Sequence, residues 1–213
     1  NVAWAKDNET FFYTVKDEKT LRPHQVYRHK LGEGSHDELV YQEDDETFVC
    51  VAYTSKSKDY IFIGSWATLS SEYRFLDAST PEDDFTLFQP REREIEYNVS
   101  HYNDDFYIVT NLDAKNFRLM KTPIDKPGKE NWQEIIPHRK DVYLNSIEIF
   151  KNFLVVSERK DGLTHLRIMP WEGNQEYYLD FGEEAYTAYI GNNPEFDTDV
   201  LRFGYTSMTT PSS

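Results

Sequence analysis

The stretch YIFIGSWATLSSEYRFLDA at residues 60–78 is the clearest guide to the structure, because it holds two short runs rich in β-branched and aromatic residues. Runs of this composition, bounded by polar turn residues, predict β-strands. Runs like YIFIGS recur as FFYTV (11–15), FYIVTN (106–111), FLVVSE (153–158) and LRFGYT (201–206). Runs like EYRFLDA (72–78) recur as QVYRHKL (25–31), FRLMKTP (117–123) and HLRIMPW (165–171). Both series therefore repeat with one period of about 47 residues, the length of a repeated structural unit.

Two further sets of strand-like runs complete each unit. One set precedes the first series: VAW (2–4), FVCVAYT (48–54), IEYNVSHY (95–102), YLNSIEIF (143–150) and AYTAYIG (185–191). The other set closes the units: ELVYQ (38–42), FTLFQ (85–89), WQEII (132–136) and EYYLDF (176–181). Apolar residues do not recur with helical spacing over three turns, so the pattern predicts no long helix.

Four strands in about 47 residues, repeated in tandem, are typical of the blades of a β-propeller. The predicted fold is all-β, a partial β-propeller of about four and a half four-stranded antiparallel blades. The predicted blades cover approximately residues 1–46, 47–92, 93–140, 141–183 and, truncated, 184–213. A plain two-sheet sandwich is the alternative fold, but it gives no reason for two series with one period. An incomplete ring leaves apolar sheet faces uncovered at its two ends, so we expect this chain to self-associate through them.

The composition excludes several classes of protein. With 23 Lys and Arg against 38 Asp and Glu, the formal net charge is −15, which disfavours nucleic-acid binding and anionic membrane surfaces. Aromatic residues make up 15% of the chain, which is too much core-forming material for a disordered protein. Cys50 is the only cysteine, so no intrachain disulfide can form, and this fits a reducing compartment. No signal peptide or membrane-spanning run is recognisable, and we expect a cytoplasmic location.

Motifs of known chemistry are missing from the sequence. There is no G-x-S-x-G nucleophile elbow, no glycine-rich phosphate loop and no H-E-x-x-H, and the six histidines show no metal-ligand spacing. Ser35-His36-Asp37 contains the residue types of a catalytic triad, but neighbours in sequence cannot form that relay, so a polar loop is predicted. We therefore expect no catalytic residue, no metal site and no cofactor, and the sequence identifies no substrate-binding residue.

The acidic clusters have two interpretations. Solvated turns are predicted for Glu43-Asp44-Asp45-Glu46, Glu82-Asp83-Asp84 and Asp104-Asp105. Glu195, Asp197 and Asp199 could offer oxygen ligands to calcium, but the glycine of a calcium loop is absent and a turn explains them. Glu94 and Glu96, beside Arg91 and Arg93, are expected to form a local salt-bridged strand end; the functional alternative is an acidic rim facing a channel.

The four tryptophans, Trp4, Trp66, Trp132 and Trp171, fall on strands or strand ends. Their positions favour packing between blades over a platform on which sugar rings stack.

Six segments carry a resemblance to a known family: VAWAKDNETFFYT, LRPHQVYRHKLG, YIFIGSWATLSSEYRFLDA, FYIVTNLDAKNFRLMKTP, WQEIIPHRKDVYLNSIEIFKNFLVVSERKDGL and LRFGYTSMTTPSS. Together they resemble the propeller of the prolyl oligopeptidase family, most closely its oligopeptidase B (protease II) branch. TNLDAKNF at 110–117, followed by IIPHR at 135–139, is the most specific part.

The resemblance implies a longer, two-domain serine peptidase. In such a protein a seven-bladed propeller caps an α/β-hydrolase domain that carries Ser, Asp and His, and the branch cleaves short peptides after Lys or Arg. The pocket for the basic side chain also belongs to the hydrolase domain, so no catalytic residue is assigned to any position here. The missing initiator Met agrees with a chain that begins inside a longer protein.

Two functions of different classes remain open. The first is a propeller that gates and size-filters the access of short basic peptides to the site of a C-terminal hydrolase domain; the net charge of −15 is compatible with attracting such peptides. The second is a stand-alone propeller that serves as a protein-binding scaffold. A glycan-active propeller with paired carboxylates is a more distant alternative. A reading frame that continues to a G-x-S-x-G elbow would favour the first function.

Overall fold

The structure is a computed structural model, and it describes residues 1–32, 37–173 and 175–212. The first sheet contains β1 (Val2–Trp4), β2 (Thr10–Lys16), β3 (Pro23–Lys30) and β4 (Glu38–Gln42). The second contains β5 (Val49–Thr54), β6 (Tyr60–Ala67), β7 (Ser70–Asp77) and β8 (Thr86–Gln89). The third contains β9 (Tyr97–Tyr102), β10 (Asp105–Thr110), β11 (Arg118–Pro123) and β12 (Gln133–Ile136).

Two more sheets follow along the chain. The fourth sheet contains β13 (Tyr143–Ile149), β14 (Phe153–Lys160), β15 (Leu163–Pro170) and β16 (Tyr177–Tyr178). The fifth contains β17 (Tyr186–Ile190) and β18 (Phe203–Ser207). The only helical segment among the described residues is one 3₁₀ turn, Lys129–Asn131. Neighbouring strands in each sheet are consecutive in the chain and antiparallel, so the predicted all-β class with four-stranded units is confirmed.

The strand bounds follow the sequence pattern with small differences. The 18 strands of the described residues all fall within or beside a predicted run. EYYLDF contributes only Tyr177–Tyr178, and the last run begins its pairing at Phe203 rather than at Leu201. The polar turns between strands place Asn8, Lys58, Asn103 and Asp161 at positive φ between 50° and 64°. Asn and Asp tolerate this left-handed conformation better than most residues, which suits them to tight turns.

Close contacts divide the chain into two compact units. The first unit contains Asn1–Phe106 and Thr122–Trp132, and the second contains Tyr107–Lys121 and Gln133–Ser213. Residues of the third sheet are divided between them. The propeller blades predicted from the sequence remain a proposal about how these sheets are grouped.

The core of the first unit lies between its first two sheets. Phe12 of β2 and Val26 of β3 are fully buried against Ile61 and Ile63 of β6. The opposite face of β6 is buried as well, because Phe62 packs against Phe106 of β10 with ring centroids 5.8 Å apart. The run YIFIGS is apolar on both faces because both faces of its sheet are covered, which is the pattern of an internal sheet.

Among the described residues of the first unit, none gives the other face of the first sheet such cover. The turn hydrogen bonds from Ala5 N to Thr10 O and from Ser55 N to Tyr60 O are equivalent, so Phe11 corresponds to Ile61 and Tyr13 to Ile63. Ile61 and Ile63 are fully buried by the first sheet, whereas Phe11 and Tyr13 are only half-buried. On the same face, Val2 is 56% exposed and Trp4 is 47% exposed.

The four tryptophans differ in how deeply their side chains are buried. Trp132 is buried, as predicted, and packs on Phe88 and Tyr97 in the first unit. Trp66 and Trp171 are half-buried and donate hydrogen bonds to Tyr73 Oη and Phe150 O. The prediction of a core position is wrong for Trp4, because the sheet face that carries it is uncovered.

The core of the second unit lies between the fourth and fifth sheets. Phe150, Val155, Leu166 and Ile168 are buried, and the partly buried side chains packed against them are Phe153, Leu179, Phe181, Ile190 of β17 and Leu201. No helix among the described residues is long and apolar enough to cross a membrane. The polar loop predicted at Ser35-His36 lies outside the described residues.

Candidate functional site

Each unit contains a cluster of buried charges beside a loop that leads from one sheet to the next. In the first unit, Glu43 opens the loop between the first and second sheets and is only 3% exposed. Arg91 donates to both of its carboxylate oxygens, from Nη2 to Oε2 at 2.6 Å and from Nη1 to Oε1 at 3.2 Å. Tyr41 Oη donates to Oε2 at 2.8 Å and Asp45 N to Oε1 at 3.1 Å. Burial disfavours an ionised carboxylate unless its oxygens are hydrogen-bonded. Both oxygens of Glu43 have partners, so it can remain charged.

The same arginine reaches a second buried carboxylate. Arg91 Nη2 lies 3.1 Å from Glu72 Oε1, and the Arg91 backbone N donates to Glu72 Oε2 at 3.0 Å. Arg74 Nη1 also donates to Glu72, at 2.7 Å. Burial alone would raise the pKa of Glu43 and of Glu72, but hydrogen bonds from Arg91, together with those from Tyr41 and Asp45 to Glu43 and from Arg74 to Glu72, outweigh it, and both pKa values are lowered.

This cluster corrects two predictions. Glu43 was expected in a solvated turn, but it is buried because Arg91, 48 residues away in sequence, folds onto it. Arg91 was expected in a local salt-bridged strand end, and it pairs instead with Glu43 and Glu72. Its neighbour Arg93 does fit that expectation, since it is 94% exposed and lies 3.9 Å from Glu94.

In the second unit, the two most specific segments of the sequence meet. Asn116, from TNLDAKNF, donates from Nδ2 to the carbonyl oxygens of Arg139 and Lys140, each at 3.0 Å. Leu144 N donates back to Asn116 O at 3.0 Å. One asparagine thus fixes the loop that follows IIPHR, through backbone groups that need a partner when they are removed from water.

That loop presents Arg139 to a buried glutamate. Glu158, at the end of the apolar part of β14, is 2% exposed and accepts hydrogen bonds from Arg139, Arg167 and Tyr178. Arg167 also pairs with Glu176. Burial opposes the charge of Arg139 and Arg167, but their hydrogen bonds to Tyr178, Glu158 and Glu176 raise both pKa values.

A cavity of about 400 Å³ lies beside Arg139 and Glu158, and we call it the Arg139 cavity. It is lined by Arg139, Asp141, Val142, Glu158, Lys160, His165 and Tyr178. At its margin Lys160 Nζ lies 3.4 Å from Asp141 Oδ2, and both side chains are largely exposed. No motif in the sequence marks any of these residues as functional. The one available signal was a glutamate ending an apolar run, in FLVVSE.

Where the structure describes the chain, Ser57 and His101 are the serine and histidine that lie in hydrogen-bond contact, as a nucleophile and its base would. Ser57 Oγ lies 2.7 Å from His101 Nδ1, while His101 Nε2 lies 2.6 Å from Asn103 O. Because a carbonyl can only accept, Nε2 carries the proton and Nδ1 accepts from Ser57. Ser57 Oγ also lies 2.9 Å from Ser55 Oγ and accepts from Asp59 N, so the group closes a turn.

The acidic residues considered as calcium ligands are paired with other side chains. Asp197 Oδ2 lies 2.7 Å from Lys151 Nζ, and Asp199 Oδ1 accepts from Asn152 Nδ2 at 3.0 Å. Glu82, from another acidic cluster, lies 3.3 Å from Lys30 Nζ. Over residues 1–32, 37–173 and 175–212, no group of three or more His, Cys, Asp or Glu side chains could hold a metal ion.

Comparison with known proteins gives one consistent result. The profile described as "Prolyl oligopeptidase, N-terminal beta-propeller domain" matches residues 1–213. The whole chain is 40% identical to part of dipeptidyl aminopeptidase BI from Pseudoxanthomonas mexicana and 30% identical to part of protease 2 from Moraxella lacunata. It spans about 30% of the length of each of these curated relatives.

Comparison with solved structures leads to the same family. All of the chain superposes on 31% of oligopeptidase B from Trypanosoma brucei, with a TM-score of 0.91 and 30% identity. It superposes equally on 31% of oligopeptidase B from Leishmania major, with a TM-score of 0.90 and 27% identity.

Proposed function

Because these 213 residues belong to the N-terminal β-propeller family of the prolyl oligopeptidases, we propose that they form the propeller part of a longer serine peptidase. The catalytic Ser, His and Asp would lie in an α/β-hydrolase domain outside these residues. The observation that carries the proposal is the coverage: the whole chain matches, yet it spans only about 30% of its curated relatives. The stand-alone scaffold is the weaker alternative for the same reason.

In this proposal the propeller excludes large substrates. A hydrolase site covered by a stack of rigid sheets admits a flexible peptide but not a folded protein, because the packed sheets do not deform continuously. The buried clusters at Glu43 and Glu158 support rigidity, since each ties a loop between sheets to a neighbouring strand through several charged hydrogen bonds.

The substrates we propose are short peptides cleaved after Lys or Arg. The similarity to two oligopeptidase B structures supports this choice, and so does the net charge of −15. An acidic protein attracts cationic peptides and raises their rate of encounter, an effect that salt weakens.

The test is a peptidase assay of the full-length protein with fluorogenic peptides of increasing length. We expect cleavage after Lys or Arg, a fall in kcat/KM as the peptide grows beyond a few tens of residues, and a fall in kcat/KM with added salt. Equal cleavage of a folded protein and a short peptide with the same cleavage site would refute the size filter.

A second candidate activity is the release of dipeptides from the amino end. The sequence identity to dipeptidyl aminopeptidase BI is 40%, which is higher than the 30% identity to protease 2, and this difference favours the second activity. An amino-blocked peptide separates the two, because release of an amino-terminal dipeptide needs a free amine. Cleavage of the blocked and the free peptide at similar rates supports the oligopeptidase, and cleavage of the free peptide alone supports the dipeptidase.

Four further proposals follow from the sequence. The blades would cover approximately residues 1–46, 47–92, 93–140, 141–183 and, truncated, 184–213. The C-terminal hydrolase domain would be the main partner, and the isolated chain would self-associate through its uncovered sheet face. The location would be cytoplasmic, which the single cysteine supports.

A further inference from the structure

The Arg139 cavity is bordered by basic side chains from two neighbouring segments. The triplet Arg-Lys-Asp occurs at 139–141 and again at 159–161. The pairing of Tyr143 with Arg159 places the end of β14 beside the start of β13. The 3.4 Å approach of Lys160 Nζ to Asp141 Oδ2 joins the two triplets directly. Of the basic side chains in the two triplets, Arg139 and Lys160 line the cavity.

The buried carboxylate in the cavity does not attract a cation. Glu158 is 2% exposed, and hydrogen bonds from Arg139, Arg167 and Tyr178 occupy its oxygens. Arg167 is also paired with Glu176, so the two guanidinium groups and the two carboxylates of this cluster balance in charge.

Two of the cations are positioned to share a ligand. Arg139 is held by Glu158 through its side chain and by Asn116 through its backbone. Its side chain is nevertheless 30% exposed, and a guanidinium has five N–H donors in a fixed fork. Lys160 lines the same cavity with 48% of its side chain exposed. A carboxylate between them would receive charge-assisted hydrogen bonds without reorganising Arg139.

The size of the cavity fits more than a bare ion. Its volume of about 400 Å³ can hold an amino-acid residue, and pockets of this size commonly bind small ligands. Val142, His165 and Tyr178 supply apolar and aromatic wall beside the cations. Such a wall accommodates the residue that bears the carboxylate.

We propose that the Arg139 cavity binds a peptide carboxylate, with Arg139 and Lys160 as the groups that recognise it. The choice of a peptide as the molecule that bears the carboxylate rests on the proposed function, in which peptides are the substrates. Two sources share this chemistry: the terminal carboxylate of a peptide and the side chain of an acidic residue within it.

The test is a binding titration of the full-length protein by calorimetry with small probes that contain no cleavable bond. The probes are N-acetylalanine, its amide, the α-amide of N-acetylaspartate, and inorganic phosphate. We expect N-acetylalanine to bind at least about tenfold more tightly than its amide, because the amide lacks the charge. Comparison with the N-acetylaspartate amide identifies whether a terminal or a side-chain carboxylate is preferred.

Lys160→Gln is the variant that assigns the site. It removes one cation from an exposed position, so the fold is retained, and carboxylate binding should weaken about tenfold. The matched control is Lys151→Gln: Lys151 is 54% exposed and pairs with Asp197, and it does not line the cavity. We expect the control to bind as the unmodified protein does.

Three results would overturn the inference: equal binding of N-acetylalanine and its amide, unchanged carboxylate binding in Lys160→Gln, or binding of phosphate with no binding of carboxylates. Failure of the proposed function gives a different result. A full-length protein that cleaves no peptide but binds carboxylates through Lys160 contradicts the peptidase and leaves the carboxylate site in place.

Discussion

Gly64 shows how a single residue in a strand depends on its neighbours. A methyl group built on Gly64 would lie 2.3 Å from Trp66 Cζ2 and 3.0 Å from Tyr73 Cε1. The indole of Trp66 is fixed over the glycine by its hydrogen bond to Tyr73 Oη at 2.7 Å. Tyr73 Oη in turn donates to Asn98 Oδ1 at 2.7 Å. Gly64 therefore provides the space in which this aromatic pair packs.

We predict that Gly64→Ala lowers the free energy of unfolding by about 1–3 kcal/mol, because the added methyl displaces the indole of Trp66. Chemical denaturation measures the effect. The control is the same substitution in a Trp66→Ala background, where the obstructing ring is gone and the cost should nearly disappear. An unchanged cost in that background would show that the indole is not the cause.

At the scale of an element, the loop between β4 and β5 is held by two arginines from elsewhere in the first unit. Arg22 donates to the carbonyl oxygens of Glu43, Asp45 and Phe48 at 3.2, 3.1 and 2.8 Å. Arg91 binds the Glu43 side chain, and its guanidinium lies 3.9 Å from the centroid of the Phe48 ring. The loop is therefore fixed by both its backbone and its side chains.

We predict that Arg91→Met lowers the free energy of unfolding by about 3 kcal/mol, because it leaves the buried carboxylates of Glu43 and Glu72 with too few partners. The matched control is Arg93→Met in the same loop, at a position that is 94% exposed, where the change should stay within about 0.5 kcal/mol. Equal losses in the two variants would mean that the Glu43 cluster does not stabilise the fold.

The same cluster predicts a dependence on pH. The pKa values of Glu43 and Glu72 are lowered from the ordinary value of 4.5, so below that value the unfolded chain binds more protons than the folded one. Their contribution to stability is complete above pH 4.5 and is lost as pH falls through the lowered pKa values. In Arg91→Met, denaturation midpoints measured between pH 3 and 6 should change less with pH. An equally steep change in that variant would place the acid sensitivity elsewhere.

At the scale of the whole molecule, the uncovered face of the first sheet predicts association of the isolated 213 residues. Val2 and Trp4 are 56% and 47% exposed on a face whose counterpart in the second sheet is buried. Sedimentation velocity should show a mass that rises with concentration, and Trp4→Lys should reduce it. Leu69→Lys, at another exposed apolar position, is the control. A monomer at all concentrations would contradict this prediction.

Much of this fold can be predicted from local pattern alone. Runs such as YIFIGS and FLVVSE form strands because alternating or continuous apolar character and turn residues act over a few neighbours. A repeat of about 47 residues then indicates the propeller family, since each sheet must bury two faces against others like it. The repeat period is measured along the sequence, so this prediction of the fold requires no three-dimensional structure.

The buried charged residues could not be predicted from local sequence pattern. Glu43 looked like part of a solvated acidic turn, and Glu158 looked like the end of a strand. Folding brings Arg91 to the first and Arg139 to the second across 48 and 19 residues of sequence. Whether a carboxylate is solvated or buried depends on which cation reaches it in space, and distant contacts of this kind leave no local pattern. The positions of the strands are therefore a property of neighbouring residues, and the charged clusters and the Arg139 cavity are a property of the assembled sheets.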